Sequence, residues 1–169
     1  MIKIQITEEM RDRANKKAEE MGELKKSIMK GAGNLTGFLG EEVVLKYLRR
    51  KGQNTHDSDL VYKGKHYDVK TKLRKKDPLP EWDCSIAAYN TVQKCDGYIF
   101  VSLTANEDYG FILGWMPKEE YFQKAVYWPK DKYDPSNGYK VRASCYNLKI
   151  KDLKDIGELS GRQSRQKIS

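Results

Sequence analysis

The chain has 169 residues, with 32 Lys plus Arg against 24 Asp plus Glu and a net charge of +8. That length suits one domain around one sizeable core. Its uncharged stretches reach only ten residues, which excludes a membrane-spanning helix of about 20 apolar residues. The mean hydropathy of −0.81 is low, yet 11 Tyr, 4 Phe and 3 Trp argue for a packed interior over disorder. The first residues carry no apolar secretory block. The cysteines Cys84, Cys95 and Cys145 are odd in number and widely spaced. Reduced thiols in a cytoplasm are therefore expected, without a disulfide framework or a zinc site.

In chain order, Lys3–Ile6 alternates polar and apolar residues and predicts a short strand. Thr7 is placed to cap a helix over Glu8–Met21 that Gly22 would end. The thin stripe of Met10, Ala14, Ala18 and Met21 predicts that this helix packs on the outside of the domain. A second helical piece is predicted over Glu23–Lys30. Asn34 can cap a further helix over Leu35–Arg50, with Gly52 just beyond its end. Its apolar residues run nearly all the way round, so it should be mostly buried. At about 100° per residue, Gly37, Gly40, Glu41, Val44 and Leu48 share one side. The glycines would let that side approach another backbone closely and direct Glu41 into the contact.

Asp59-Leu60-Val61-Tyr62, then Lys63-Gly64, then Lys65–Lys72 read as a β-hairpin with a two-residue turn. Ser85–Cys95 is expected to be helical. Gly97–Thr104 and Tyr109–Met116 predict a second hairpin of buried strands. Pro117 suits the first turn of a helix over Lys118–Ala125. Trp128–Gly138 reads as a loop and Val141–Ile150 as a possible strand. The organisation expected is a single domain: a helical addition over 1–33, a core over 34–160 and a basic tail over 161–169.

Lys46–Lys76 holds eleven basic residues: Lys46, Arg49, Arg50, Lys51, Lys63, Lys65, Lys70, Lys72, Arg74, Lys75 and Lys76. Only Asp57, Asp59 and Asp68 oppose them, so this segment carries the whole excess of +8. Charge concentrated in this way predicts a phosphate-binding surface.

The three aspartates carry the chemistry. With Lys63-Gly64 as the turn, Tyr62 faces Lys65, Val61 faces His66, Leu60 faces Tyr67 and Asp59 faces Asp68. Directly opposed carboxylates lie about 4.5–5.5 Å apart at Cβ and repel, unless a cation sits between them. Hard oxygen donors favour Mg²⁺ or Mn²⁺. Strand periodicity puts Lys70 on the face of Asp68, and the preceding helix would present Glu41. Such a cluster suits metal-assisted phosphodiester hydrolysis, with Lys70 orienting or deprotonating water or stabilising charge on the phosphorane. Glu42 competes with Glu41, and Asp57 with Asp59. His56 and His66 lack ligand spacing.

The set Gly37-Phe38-Leu39-Gly40-Glu41 followed by Asp59 and Asp68-Val69-Lys70 resembles the PD-(D/E)XK nucleases, and Gly114–Tyr121 and Arg142–Leu148 look similar to small phage-type members. The resemblance implies an α/β, restriction-endonuclease-like fold, a mixed central β-sheet flanked by helices. It also implies a Mg²⁺- or Mn²⁺-dependent nuclease acting on DNA, with RNA not excluded, as an endonuclease and as a homodimer in many members. Asp59, Asp68 and the Val69 carbonyl would bind the metal, Glu41 would bind or position a second one, and Lys70 would act on the water. The basic residues of 46–76 would hold phosphates, Lys72, Arg74, Lys75 and Lys76 among them. Gln93 and Tyr98 lack the Gln-x-x-x-Tyr spacing of some exonuclease branches. Two other readings fit the same residues: an inactive nuclease-like module that binds nucleic acid, and a basic partner of an acidic protein.

Overall fold

Gly97–Thr104 is apolar on both faces, and a strand of that kind needs cover on both sides. A computed structural model of the chain describes residues 1–24, 32–51, 58–135 and 138–161. In chain order the elements begin with β1 (Ile2–Gln5), α1 (Glu8–Leu24), α2 (Ala32–Leu48), β2 (Leu60–Tyr62), β3 (Lys65–Arg74), β4 (Asp83–Ala87) and a 3₁₀ turn over Ala88–Val92. They continue with β5 (Gly97–Thr104), β6 (Tyr109–Pro117), α3 (Lys118–Lys124), β7 (Val126–Trp128), β8 (Tyr133–Asp134), β9 (Tyr139–Lys140), β10 (Cys145–Lys149) and α4 (Ile156–Ser160). The main sheet has the order β1-β6-β5-β3-β2, so β5 is its middle strand. β3 and β5 run parallel and the other neighbours antiparallel, which makes the sheet mixed and the fold α/β.

Alternation along β5 builds two cores. Ile99, Val101 and Leu103 meet Met10 and Ala14 of α1 and Leu39, Val43 and Val44 of α2. Tyr98 and Phe100 point the other way, into a second core with Tyr121 of α3 and with Cys84, Ile86 and Leu148 of the smaller sheet β4-β10-β7. Each such aliphatic or aromatic side chain contributes about 1.5–3 kcal/mol on full burial. β6 has a bulge against β5 between Phe100 and Val101. Nearby, Gly114 adopts φ 154°, and a Cβ there would lie 2.6 Å from the Lys154 carbonyl. That closeness lets Lys154 pair with Trp115 through two 3.0 Å backbone hydrogen bonds.

Several expectations change. The segment 1–33 contributes to the core, because β1 pairs with β6 and Met10 and Ala14 are buried. α1 is capped by Thr7, whose Oγ1 accepts from the Met10 amide at 3.4 Å. It continues through Gly22 to Leu24, since one interior glycine costs only about 1 kcal/mol. The expected helix over Glu23–Lys30 lies mostly outside the described residues, as does the tail beyond 161. α2 begins at Ala32, which places Asn34 inside its first turn. Ser85–Cys95 is not helical as a whole. Cys84 and Ile86 alternate inward as a strand, paired with β10 some sixty residues on, and only Ala88–Val92 coils as 3₁₀. The expected loop at 128–138 holds the end of β7 and the β8–β9 ladder. α4 was not expected, although its signals are local: Asp155 accepts from the Gly157 amide at 2.6 Å, and Gly161 follows at φ 72°.

α2 ends before Gly52, on Arg49 in the left-handed region at φ 54°. The Arg50 amide reaches the Leu45 carbonyl at 3.0 Å and the Arg49 amide reaches Lys46 at 3.2 Å, the paired bonds of a Schellman cap. A side chain costs about 1 kcal/mol in this conformation. Arg49→Gly is therefore expected to raise stability by about 0.5–1 kcal/mol in urea unfolding, and an unchanged or lower midpoint would contradict this account. Among the described residues no helix is long and apolar enough to cross a membrane, and Cys84, Cys95 and Cys145 are free thiols.

Candidate active site

The turn that builds the site is short and local. Lys63 and Gly64 have φ of 50° and 75°, the conformation whose twist matches the flanking strands. It sets the register Tyr62 to Lys65, Val61 to His66 and Leu60 to Tyr67, as the hairpin pattern requires. Asp59 stands one residue before β2 and comes onto Asp68. Its Oδ2 accepts from the Val69 amide at 2.8 Å, and its carboxyl group lies against that of Asp68. Burial foremost, then the Asp68 contact and the charges of Asp68 and Glu41, push the Asp59 carboxyl up; the Val69 amide opposes them. Asp57 and His56 lie outside the described residues. His66 Nδ1 meets the Ser58 hydroxyl at 2.9 Å.

Glu41 arrives because α2 crosses β3 closely at Gly40. A Cβ on Gly40 would sit 1.9 Å from Thr71 Oγ1, whereas one on Gly37 would meet nothing within 4 Å. Glu41 is 8% exposed and Asp68 7%, so both are well withdrawn from water. Burial pushes the Glu41 carboxyl up, Asp68 and Glu42 add to that, and Lys17 works against it. Lys17 Nζ lies 2.5 Å from Glu41 Oε2 and 4.6 Å above the Phe38 ring. The neighbouring Glu42 engages Arg13 at 2.7 Å. Of the two glutamates, Glu41 is thus the one whose charge bears on both Asp59 and Asp68.

Lys70 is ion-paired with Asp68 and donates to Gln93 Oε1 at 2.8 Å. The Gln93 carbonyl in turn accepts from Lys118 at 2.5 Å. Val69 lies between them, buried and in register with Ile99 of β5. Lys17 and Gln93 escaped sequence reasoning. Lys17 is one of many charges on α1, and Gln93 leaves a 3₁₀ turn that has no periodic signature. Among the described residues, no three His, Cys, Asp or Glu side chains converge closely enough to hold a metal as they stand: Asp59 and Asp68 form a pair, and Glu41 is engaged by Lys17.

The basic run is contiguous in sequence but not in space. Lys46, Arg50 and Lys51 join Arg13 and Lys17 around a groove of about 820 Å³ between α1 and α2, which Glu41 and Asp59 also line. Lys46 donates to the Gln5 carbonyl at 3.2 Å, and Arg50 lies 5.6 Å over the Tyr62 ring. Lys63 reaches the Leu159 carbonyl at 3.1 Å, and Lys65 is exposed. On β3 the pleat sends Tyr67 and Val69 to the helices, while Lys70, Lys72 and Arg74 line a cleft on the other face with Asp83 and Ser85. There Arg74 donates to the Asp83 carbonyl at 2.8 Å and covers Trp82 at 4.9 Å. Lys75 and Lys76 are exposed past the end of β3. Lys70 also borders a larger cleft of about 360 Å³, with Ser85, Asn90, Arg142 and Cys145.

The acidic pair therefore sits where the sheet separates two cation-lined clefts, with a lysine on each side of the carboxyl groups. Set against known families and curated proteins, the chain matches no family model and no curated protein, and its site is read from its own geometry.

Proposed function

We propose that the protein is a Mg²⁺- or Mn²⁺-dependent nuclease of the PD-(D/E)XK kind, with a restriction-endonuclease-like fold, that cuts phosphodiester bonds within DNA. The observation that carries the reading is the meeting of Asp59 and Asp68 across the hairpin, with Lys70 ion-paired to Asp68.

The donor set fits a divalent cation. Asp59 and Asp68 are oxygen donors held against each other, and a hard cation between them would offset their repulsion. Asp59, Asp68 and the Val69 carbonyl would hold it, and Glu41 would join once released from Lys17. A bound divalent ion supplies a polarised phosphate and a more acidic water. The chain's own groups do the rest. Lys70, fixed between Asp68 and Gln93, would orient the attacking water and donate to the phosphate oxygens that gain charge; the water oxygen bonds to phosphorus and gives its proton to solvent, while the departing ester oxygen takes one from solvent. Gln93 keeps the Lys70 ammonium aimed, and Lys118 keeps the Gln93 backbone in place. Lys46, Arg50, Lys51, Lys72 and Arg142 neutralise phosphates on either side, so affinity for DNA should fall steeply with salt. Free thiols suit work in a reducing cytoplasm.

The test is cleavage of circular, linear and single-stranded DNA and of RNA with Mg²⁺, Mn²⁺ or chelator, read together with unfolding. Cleavage is expected only with the metal. Mn²⁺ at about 100 times its dissociation constant should stabilise the fold by about 2.7 kcal/mol, an effect that Asp68→Asn removes. No cleavage of any substrate, with no stabilisation by metal, would refute the reading. DNA binding without cleavage would support the inactive module instead.

A further inference from the structure

The 3₁₀ turn over Ala88–Val92 lies on the Lys70 side of the molecule, outside the acidic cluster. It carries Tyr89, 75% exposed, and Val92, 83% exposed. A 3₁₀ helix has about three residues per turn, so side chains at i and i+3 stand on one edge. Tyr89 and Val92 thus form a small apolar blade facing water. The blade is held rigidly: Ala88 donates to the Ser144 carbonyl at 2.8 Å, Thr91 Oγ1 to the Ala88 carbonyl at 3.0 Å, and the Gln93 amide to the Asn90 carbonyl at 3.2 Å. Tyr109 and Tyr127, exposed elsewhere, each have company, Lys3 at 4.3 Å and Tyr146 at 5.2 Å respectively, and Tyr133, 61% exposed on β8, lines neither cleft beside Lys70. Among the described residues Tyr89 has no hydrogen bond, ring contact or cation contact of its own.

Its neighbourhood supplies the charge. Asn90, the next residue, lines the cleft that Lys70 and Arg142 border, and Lys72 borders the adjoining one. Four residues on, Gln93 holds Lys70. An aromatic face without a partner, beside a cation-lined cleft that leads to Lys70, matches a strand whose phosphates lie in the cleft and whose base lies on the ring. Stacking of this kind tolerates any base but requires one with an open face, which the interior of a duplex does not offer.

We infer that Tyr89 is a stacking platform for an unpaired base next to the phosphate held at Lys70, so that the substrate is single-stranded or locally unpaired DNA. The inference rests on the nuclease reading for its substrate and adds the strandedness. It is tested with Mg²⁺ withheld, by binding of a single-stranded oligonucleotide carrying the fluorescent base 2-aminopurine, and of a blunt duplex of the same sequence. Tyr89→Ala is expected to bind the single strand about tenfold more weakly, to lose the quenching that stacking causes and to keep its duplex affinity. Tyr89→Trp should restore both signals. An unchanged thermal midpoint shows that Tyr89→Ala is folded. Equal single-strand affinity in Tyr89→Ala and wild type, or an equal loss for duplex and single strand, overturns the inference. If wild type still cleaves DNA in that case, the nuclease reading stands and only the platform falls. Quenching that depends on Tyr89 in a protein that cuts nothing keeps the platform and removes the nuclease.

Discussion

Lys70→Met should reduce Mg²⁺-dependent cleavage by a factor of about 10²–10⁴, the usual contribution of a positioned proton-handling or charge-stabilising side chain. Methionine retains most of the stem that lines the cleft but removes the ammonium that Asp68 and Gln93 hold. Asp68, 7% exposed, then faces Asp59 without its cation, and an unpaired buried charge is costly. The variant should therefore be less stable than wild type without metal, and should recover more stability than wild type when Mn²⁺ is added. That pattern separates loss of chemistry from loss of fold: single-turnover cleavage reports the first and urea unfolding with and without Mn²⁺ reports the second. Lys70→Arg should not rescue, because a planar fork cannot reproduce the compact ammonium between those two partners. Cleavage by Lys70→Met within a factor of two or so of wild type would remove Lys70 from the mechanism.

Gly40→Ala should destabilise the protein by about 1–3 kcal/mol, even though alanine is the better helix former by about 1 kcal/mol. The added methyl would start 1.9 Å from Thr71 Oγ1, 2.8 Å from its Cγ2 and 2.9 Å from its Cβ. Thr71 is β-branched and its backbone is held by pairing with Val101 of β5, so its room to swing away is small. The helix has to retreat, and Glu41 retreats with it. Gly37→Ala is the matched control, because its methyl meets nothing within 4 Å and it should be neutral or stabilising by up to about 1 kcal/mol. Combining Gly40→Ala with Thr71→Ala removes the two outer contacts and should recover part of the loss. Urea midpoints for the four proteins decide the matter, and a Gly40→Ala variant as stable as Gly37→Ala would show that the close approach is not limiting.

The contrast between these two sites reflects what a sequence makes legible. Asp59, Asp68 and Lys70 sit within one hairpin whose turn is two residues long, so local rules of pairing predict their register. Gly40 and Glu41 follow from helical periodicity, which shows that they share a side but not which neighbour they meet. Lys17, Gln93 and Lys118 depend on contacts between distant segments, and nothing in their own surroundings sets them apart from other polar residues. The same limit explains Ser85–Cys95. Its partner strand, Cys145–Lys149, is remote, and the pairing overrode a local pattern that reads as a helix. The basic run failed in the opposite sense. Eleven neighbours in sequence suggest one surface, but the alternation of β3 and the end of α2 distribute them over both faces of the sheet.

β6 has a consequence beyond the site. Its outer side is covered by two remote pieces of chain: Ile2–Gln5 pairs with Tyr109–Ile112, and Lys154 pairs with Trp115, where Gly114 admits it. The strands left at the margins of the sheet are then β1 and β2, four and three residues long. A short edge strand offers a stranger's strand few unpaired backbone groups, and past Tyr67 the outer side of β3 has no strand beside it over Asp68–Arg74 among the described residues, where Asp59 takes the Val69 amide. The residues that cover this side of β6 lie at opposite ends of the described chain.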